Sequence, residues 1–370
     1  MKIAYFTSHI YEPDFISAPI EGKKPNPAGQ NFHEKVIKSL SGFAEVDVYS
    51  YLPFNMDLPE KDFQVESGIR YHYVKASKNK VVRALFGPGK LAGRAHKNVP
   101  DFIFFDSLNR STSKAAIRLA LTSGAKAVAI LTDHPNNITG LKPSYSNAIL
   151  SCAAKASACF ALTPKLVEAF GFLGRPHLIQ PVLVEKEPIE PYKHEAPYIY
   201  YGGALYLKDG LSDLLSAYLT TNPKYDLIIT GHGPFDTEIL KAAEHNPRII
   251  FHGQVSKKEH LSLIAGSALS INPRRYDKKI DDYAVPSKVM EYLCYAPYVA
   301  STKSTALMET FRHEINWIHD GTLTFFREFL NNDGVFEGLK KNTAQDRVIS
   351  EFGIKETSRV LREFLAKLSD

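Results

Sequence analysis

The chain has 370 residues, 44% hydrophobic and 23% charged, which suits packed domains and argues against a disordered chain. At about 100–200 residues per domain, this length implies two domains. The net charge of +5 is modest, and no base-reading motif accompanies it, so nucleic acid is not an expected partner.

In chain order, the first predicted element is a buried strand over Lys2–Thr7, which lacks the long apolar core of a signal peptide. Further strands are predicted over Val46–Ser50, Tyr71–Val74, Phe102–Phe105, Ala127–Leu131 and Cys159–Leu162. Their apolar runs are nearly continuous, as in parallel strands buried on both faces. Helices are predicted between them, over Asn31–Leu40 and Ser113–Leu121. This alternation predicts an α/β doubly wound domain over residues 1–185.

One stretch inside that domain is unusual. Residues 71–100 contain no acidic side chain, yet carry Lys75, Lys78, Lys80, Arg83, Lys90, Arg94 and Lys97. Val81, Val82, Leu85, Phe86 and Leu91 lie among them. A solvated loop is the plain reading. The functional one is a surface around Lys90, Arg94 and Lys97 that meets anionic lipid headgroups or a diphosphate-lipid acceptor.

The rhythm breaks over residues 186–197, rich in proline and charge, which read as an interdomain linker. A second series follows over residues 198–345. Strands are predicted over Tyr198–Tyr201, Asp226–Thr230, Ile249–Phe251, Leu269–Ile271 and Tyr298–Ala300. Most run directly into turn residues: Gly202-Gly203, Gly231-His232-Gly233, Gly253 and Asn272-Pro273. Such turns sit at the carboxyl edge of a parallel sheet, where backbone N–H groups and helix N-termini face a ligand. Residues 346–370 read as one or two helices that can cross back to the first domain. No run of about 18 apolar residues exists to span a membrane. Cys152, Cys159 and Cys294 match no disulfide or metal spacing and read as reduced, buried residues, implying a cytoplasmic protein.

Three stretches of the second half could carry chemistry. Gly202-Gly203 lets backbone approach a diphosphate, with Lys208 able to add a cation; the bland reading is an ordinary turn. Arg274-Arg275 could clamp phosphate oxygens, or pair in an exposed loop with Asp277, Asp281 or Asp282. Pro286-Ser287-Lys288 suits a helix start, with Glu291 one turn inside. A carboxylate beside apolar Met290 and Leu293 needs partners, either a cation or ligand hydroxyls, and a ribose diol offers two hydroxyls. Lys288 is three residues before Glu291, so both can face one mouth, or pair with each other.

Taken together, these stretches resemble the two-domain GT-B glycosyltransferases of the large GT4-like group, especially bacterial enzymes of surface-polysaccharide assembly. The matching pieces are Tyr201–Leu205, Leu227–Gly233, Arg248–Val255, Ile271–Arg274 and Val285–Leu293, in that order. The first half matches more loosely, at the loop Pro27–Gln30 and at Leu131–Pro135. The resemblance implies two Rossmann-like domains facing across a cleft, and transfer of a sugar from a nucleoside-diphosphate donor to a glycan or lipid-linked glycan. It implies retention of configuration. The donor is the only small molecule implied, with no cofactor.

By the same resemblance, Glu291 would bind the ribose, and Gly202 and Gly203 would face the phosphates. Gly231, after the next predicted strand, is counted with them among the donor-binding residues. Gly253–Val255 would hold the base through backbone contacts, and Gly29 would approach the donor phosphate from the first domain. Asp133 or His134 falls where such enzymes place a polar residue near the transferred sugar. The chain departs from the pattern in three places. Tyr283 stands where a second glutamate is usual, and Gly203 and Asp209 stand where the diphosphate-binding arginine and lysine are usual; Lys208, Arg274 or Lys288 could substitute. No Asp-x-Asp triplet occurs, which disfavours a GT-A-type metal site. A nucleotide-sugar epimerase and a non-catalytic subunit that binds a partner enzyme are the alternatives. The enzyme reading also implies work at the inner face of a membrane.

Overall fold

The computed structural model describes residues 1–369 except 23–24, 66–67, 139, 284 and 331–337. Two units emerge: Met1–Glu185 together with the tail from Phe352, and Lys186–Glu351. The first unit contains β1 (Lys2–Thr7), α1 (Glu12–Ser17), α2 (Pro27–Ser41), β2 (Glu45–Leu52), β3 (Asp62–Gln64), β4 (Ile69–Lys75) and α3 (Lys80–Ala95). It continues through β5 (Phe102–Asp106), α4 (Arg110–Ser123), β6 (Lys126–Leu131), α5 (Pro143–Ala153), β7 (Ala158–Ala161), α6 (Pro164–Ala169) and β8 (His177–Ile179).

These eight strands form one sheet in the order β3-β4-β2-β1-β5-β6-β7-β8, parallel except for β3 against β4. Central strands such as β1 and β5 are buried along nearly their whole length, because helices cover both sheet faces. Local chemistry starts the helices. Asn26 accepts a hydrogen bond from the Ala28 N–H and Pro27 occupies the first helical turn, so α2 begins at Pro27. Residues 27–30, expected as a loop, are therefore helix. Asn109 caps α4 in the same way, and Gly124, at φ 77°, ends it.

The second unit holds β9 (Tyr198–Ala204), α7 (Leu211–Thr221), β10 (Asp226–His232), α8 (Asp236–His245), β11 (Ile249–Gly253), α9 (Lys257–Gly266) and β12 (Leu269–Asn272). Then come α10 (Lys278–Asp281), α11 (Ser287–Tyr295), β13 (Val299–Thr302), α12 (Thr305–Phe311), β14 (Asn316–Ile318), α13 (Thr322–Phe329) and α14 (Gln345–Phe352). The sheet is parallel throughout, ordered β11-β10-β9-β12-β13-β14. Strand order reverses between β9 and β12, so the crevice at their carboxyl ends is where such sheets take ligands. Residues 186–197 have no regular structure but are tied to this unit: the Tyr192 N–H donates to the Ser262 carbonyl at 2.9 Å, and Glu187 pairs with Lys257 at 2.7 Å.

The last helix, α15 (Ile354–Ser369), belongs to the first unit. Leu361, Leu365 and Leu368 repeat at helical spacing, pack against α2 and join the core around β1. Three strands were not expected from sequence: β3, β8 and β14. Each is three residues long, too short for a period to register. Cys159 and Cys294 are buried as expected, whereas Cys152 is only half-buried.

Candidate functional site

The carboxyl edge of β9 and β10 brings two glycine turns side by side. Gly203 pairs in register with Gly231, with φ 144° and 136°. A Cβ on Gly231 would lie 1.8 Å from the Gly203 carbonyl oxygen, and one on Gly202 would meet the His260 ring at 2.6 Å. Only glycine permits this close approach of backbone at the sheet edge.

Lys288, in the first turn of α11, reaches this turn. Its Nζ donates to the Tyr201 hydroxyl at 2.9 Å and lies 3.1 Å from the position a Gly203 Cβ would take. The same ammonium sits 4.5 Å from the Tyr201 ring centroid. Burial lowers its pKa to about 8, against the opposing pull of Asp209, while Arg274 lowers it further. Asp209 is buried, with one carboxylate oxygen unbonded in the structure. Arg274 follows β12 and pairs with the buried Asp281 at 3.1 Å, while Arg275 pairs with Asp213 at 2.7 Å. Burial raises the Asp281 pKa. Arg274 thus has one of its expected loop partners, Asp281, whereas Arg275 pairs with Asp213 of α7, which was not among them.

Glu291, one turn along α11, does not pair with Lys288. Its Oε2 accepts from His260 Nε2 at 3.0 Å. His260 lies in α9, which Ser256 caps through the Glu259 N–H and which packs on α11. The other ring nitrogen of His260 meets the Tyr200 hydroxyl at 2.6 Å, and that hydroxyl meets Thr230 Oγ1 at 2.6 Å. Ionised Glu291 can only accept, so Nε2 carries the proton. In the neutral imidazole Nδ1 then accepts from Tyr200, which accepts from Thr230. Tyr292 adds a second tie: its hydroxyl accepts from the Gly202 N–H at 3.0 Å and donates to the Gly202 carbonyl at 3.2 Å. Burial raises the phenol pKa of Tyr200, Tyr201 and Tyr292, so all three stay neutral donors.

The remaining expected residues fall in several places. Gly253 ends β11 at φ 63° and Val255 is half-buried in the turn that leads into α9. Tyr283 lies in the turn between α10 and α11. Lys208 is exposed, its ammonium 5.8 Å from the Tyr206 ring centroid, and no contact joins it to the glycine turn among the described residues. Its neighbour Asp209 points inward instead, because Gly210, at φ 79°, starts α7 with backbone packed against Pro273.

In the first unit, Gly29 sits in the first turn of α2, with open space where a Cβ would stand. Gln30 ties this turn to the end of β1, accepting from the Ile10 N–H at 2.8 Å and donating to the Ser8 carbonyl at 3.2 Å. Asp133 and His134 follow β6. Asp133 Oδ1 accepts from the His134 N–H at 2.7 Å and from Asn137 at 3.1 Å. His134 Nδ1 accepts from the Asn136 N–H, and burial lowers the ring pKa against the pull of Asp133. Lys90 pairs with Glu60, and Arg94 with Asp62 at 2.6 Å; Lys97 is exposed.

His260, Tyr200, Thr230 and Tyr292 escaped the sequence reading. Tyr200 and Tyr292 look like core residues, and a lone histidine near a helix start carries no motif. A groove of about 1270 Å³ lies beside the ends of β12, β13 and β14, lined by Pro273, Arg275, Thr302 and Ser304 among others. It does not include the Gly203–Gly231 turns.

No family model matches the sequence, and no curated protein matches it. Solved structures do. Sucrose-phosphate synthase from Thermosynechococcus elongatus superposes with a TM-score of 0.74 at 10% identity, over 100% of this chain and 99% of that one. HepE from Anabaena, solved with UDP and glucose, gives 0.66 at 14%, over 99% and 100%. The lipopolysaccharide outer core galactosyltransferase WaaB gives 0.62 at 14%, over 99% of each chain. The fold is therefore that of the GT-B glycosyltransferases, two parallel α/β domains along the whole chain.

Proposed function

We propose that this protein is a glycosyltransferase that moves a sugar from a nucleoside-diphosphate donor to an acceptor hydroxyl. The observation that carries the reading is the arrangement along α11. Lys288 overhangs the paired turns at Gly203 and Gly231, and Glu291 stands one turn further on, oriented by His260. A nucleoside diphosphate has a diphosphate for the first group and a ribose diol for the second. HepE, of similar fold, was solved with UDP-glucose, which supports a donor of this class here.

In this reading Glu291 accepts from the ribose hydroxyls and Gly253–Val255 borders the base. The Gly203 backbone, the Lys288 ammonium and the Arg274 guanidinium take the diphosphate, while Gly202, its N–H and carbonyl both bound to Tyr292, shapes the turn. During transfer the bond from the anomeric carbon to the diphosphate oxygen breaks, one to the acceptor oxygen forms, and the acceptor's hydroxyl proton passes to the departing diphosphate. Positive charge builds on the sugar and negative charge on the leaving diphosphate. Lys288 and the N–H dipoles stabilise that negative charge in place before the reaction begins. Asp133 or His134 is assigned to the sugar end and Gly29 to the donor phosphate. We read the transfer as retaining and metal-independent, of the GT4-like hexosyl type, on a glycan or lipid-linked glycan in polysaccharide assembly at the cytoplasmic face of a membrane.

The test is a thermal-shift screen of nucleotide sugars, followed by assay of nucleoside-diphosphate release. A ligand that binds the native state raises the melting temperature. Binding with slow release supports a transferase. Binding without release from any donor would instead favour the non-catalytic subunit, and no binding at all would overturn the site.

A further inference from the structure

We propose that the first two turns of α3 form a docking surface for an anionic lipid membrane. The helix divides at its middle. Its buried residues, Gly87, Pro88, Leu91, Ala92 and Ala95, all lie from Gly87 onward, where it packs on α4 and β2. A Cβ on Gly87 would meet the Tyr51 hydroxyl at 2.2 Å, so that half is held close. The first half projects. Val81, Val82, Leu85 and Phe86 are 64%, 41%, 68% and 67% exposed.

Val81 and Leu85, and Val82 and Phe86, are each four residues apart, so the four share one stripe. Asn79 holds the first turn by accepting from the Val81 and Val82 N–H groups. Phe54, itself 42% exposed, extends the patch beneath the Arg83 guanidinium, 4.6 Å from its ring centroid. Single exposed apolar residues are ordinary, but a clustered stripe of this kind marks an interaction site.

Charge identifies the occupant. Exposed Lys78 and Lys80 flank the stripe, and neither has an ion-pair partner among the described residues. Lys90 and Arg94 in the second half are already neutralised by Glu60 and Asp62. Available cations and a stripe of exposed apolar side chains therefore coincide at the start of the helix, whereas of Lys90, Arg94 and Lys97 only Lys97 has no ion pair among the described residues. A second copy of the chain docking through the same face would set these cations against their own kind. An anionic bilayer offers negative headgroups and a hydrocarbon boundary together. Among the described residues no helix can cross a membrane, so this contact would be peripheral.

The test is flotation of the full chain with phosphatidylcholine vesicles, with and without phosphatidylglycerol, and sedimentation of the chain alone. The protein should float with the anionic vesicles and less so with neutral ones. The double variant Leu85→Ser/Phe86→Ser should lower that partition at least about tenfold. Lys78→Gln and Lys80→Gln should each lower it roughly fivefold, with the loss smaller at high salt. If the double variant proves unstable by circular dichroism, Val81→Ser alone should still give a measurable loss. Equal flotation of parent and variants overturns the proposal. So does absence of flotation, or a dimer of the parent that the double variant dissociates. None of these outcomes depends on the nucleotide site.

Discussion

The Glu291 carboxylate is held by His260, Nε2 to Oε2 at 3.0 Å, and His260 is held in turn by Tyr200 at 2.6 Å. A carboxylate on one helix is thus aimed by a relay that starts in the core strand beneath it. Glu291→Ala should weaken nucleoside-diphosphate binding by about 1.5–3 kcal/mol, the worth of a hydrogen bond to a charged group. Titration calorimetry measures this, with the melting temperature of the free protein little changed. Unaltered affinity would remove Glu291 from the site.

Tyr200→Phe deletes the hydroxyl between Thr230 and His260 without touching the ligand edge. It should cost about 1–2 kcal/mol of stability, because Thr230 loses a buried partner. Nucleotide affinity should fall by a few-fold, and the two losses in Tyr200→Phe/Glu291→Ala should not add. Strict additivity in that double-mutant cycle would show that the relay does not orient Glu291.

Lys288 links binding to pH. Its pKa of about 8 means that the ammonium is present below that pH and is lost as pH rises through it. A diphosphate binds the ammonium form, so affinity should fall as pH climbs from about 7 to 9. Lys288→Arg keeps its charge across this range and should flatten the profile. The effect on the fold has the opposite sign. Burying the ammonium disfavours the native state below pH 8, and this cost fades as pH rises toward the ordinary lysine value. Lys288→Met should therefore bind at least about tenfold less tightly yet melt no lower than the parent at pH 7. A pH-independent affinity in the parent would contradict the assignment.

Gly231→Ala should destabilise the second unit. The added Cβ would overlap the Gly203 carbonyl at 1.8 Å, and φ 136° is a conformation that side chains rarely adopt. A loss of at least about 2 kcal/mol is expected from the strain alone, read by denaturant unfolding. Nucleotide binding should fall with it, since Gly203 must move.

The core of α15 gives a test of the tail. Leu361→Ala or Leu365→Ala removes a fully buried side chain from the cluster around β1 and α2 and should cost about 2–5 kcal/mol. If either variant melts like the parent, the tail does not support the first unit.

Much of this was legible one segment at a time. The apolar runs from Lys2 to Thr7 and from Tyr198 to Tyr201 announce buried parallel strands, because burial on both faces leaves few polar positions. Residues 27–30 are helix rather than loop because Asn26 caps the first turn and Pro27 fits it, which outweighs the glycine at 29. Gly203 and Gly231 could be read as turns, yet nothing local says that they touch. That contact depends on β9 and β10 pairing in register.

The α/β alternation, the two series of strands and the stretch around Lys288 and Glu291 can all be read along the chain. Each is a property of neighbouring residues, carried by hydrophobic period, caps and turns. The partners of these residues follow instead from how strands and helices pack. Lys288 finds Tyr201 across 87 positions, and Glu291 finds His260 across 31 rather than the lysine one turn away. That packing also left the apolar stripe of α3 uncovered while giving Lys90 and Arg94 to Glu60 and Asp62. Strand order and helix packing set these distances, and no local pattern of residues encodes them.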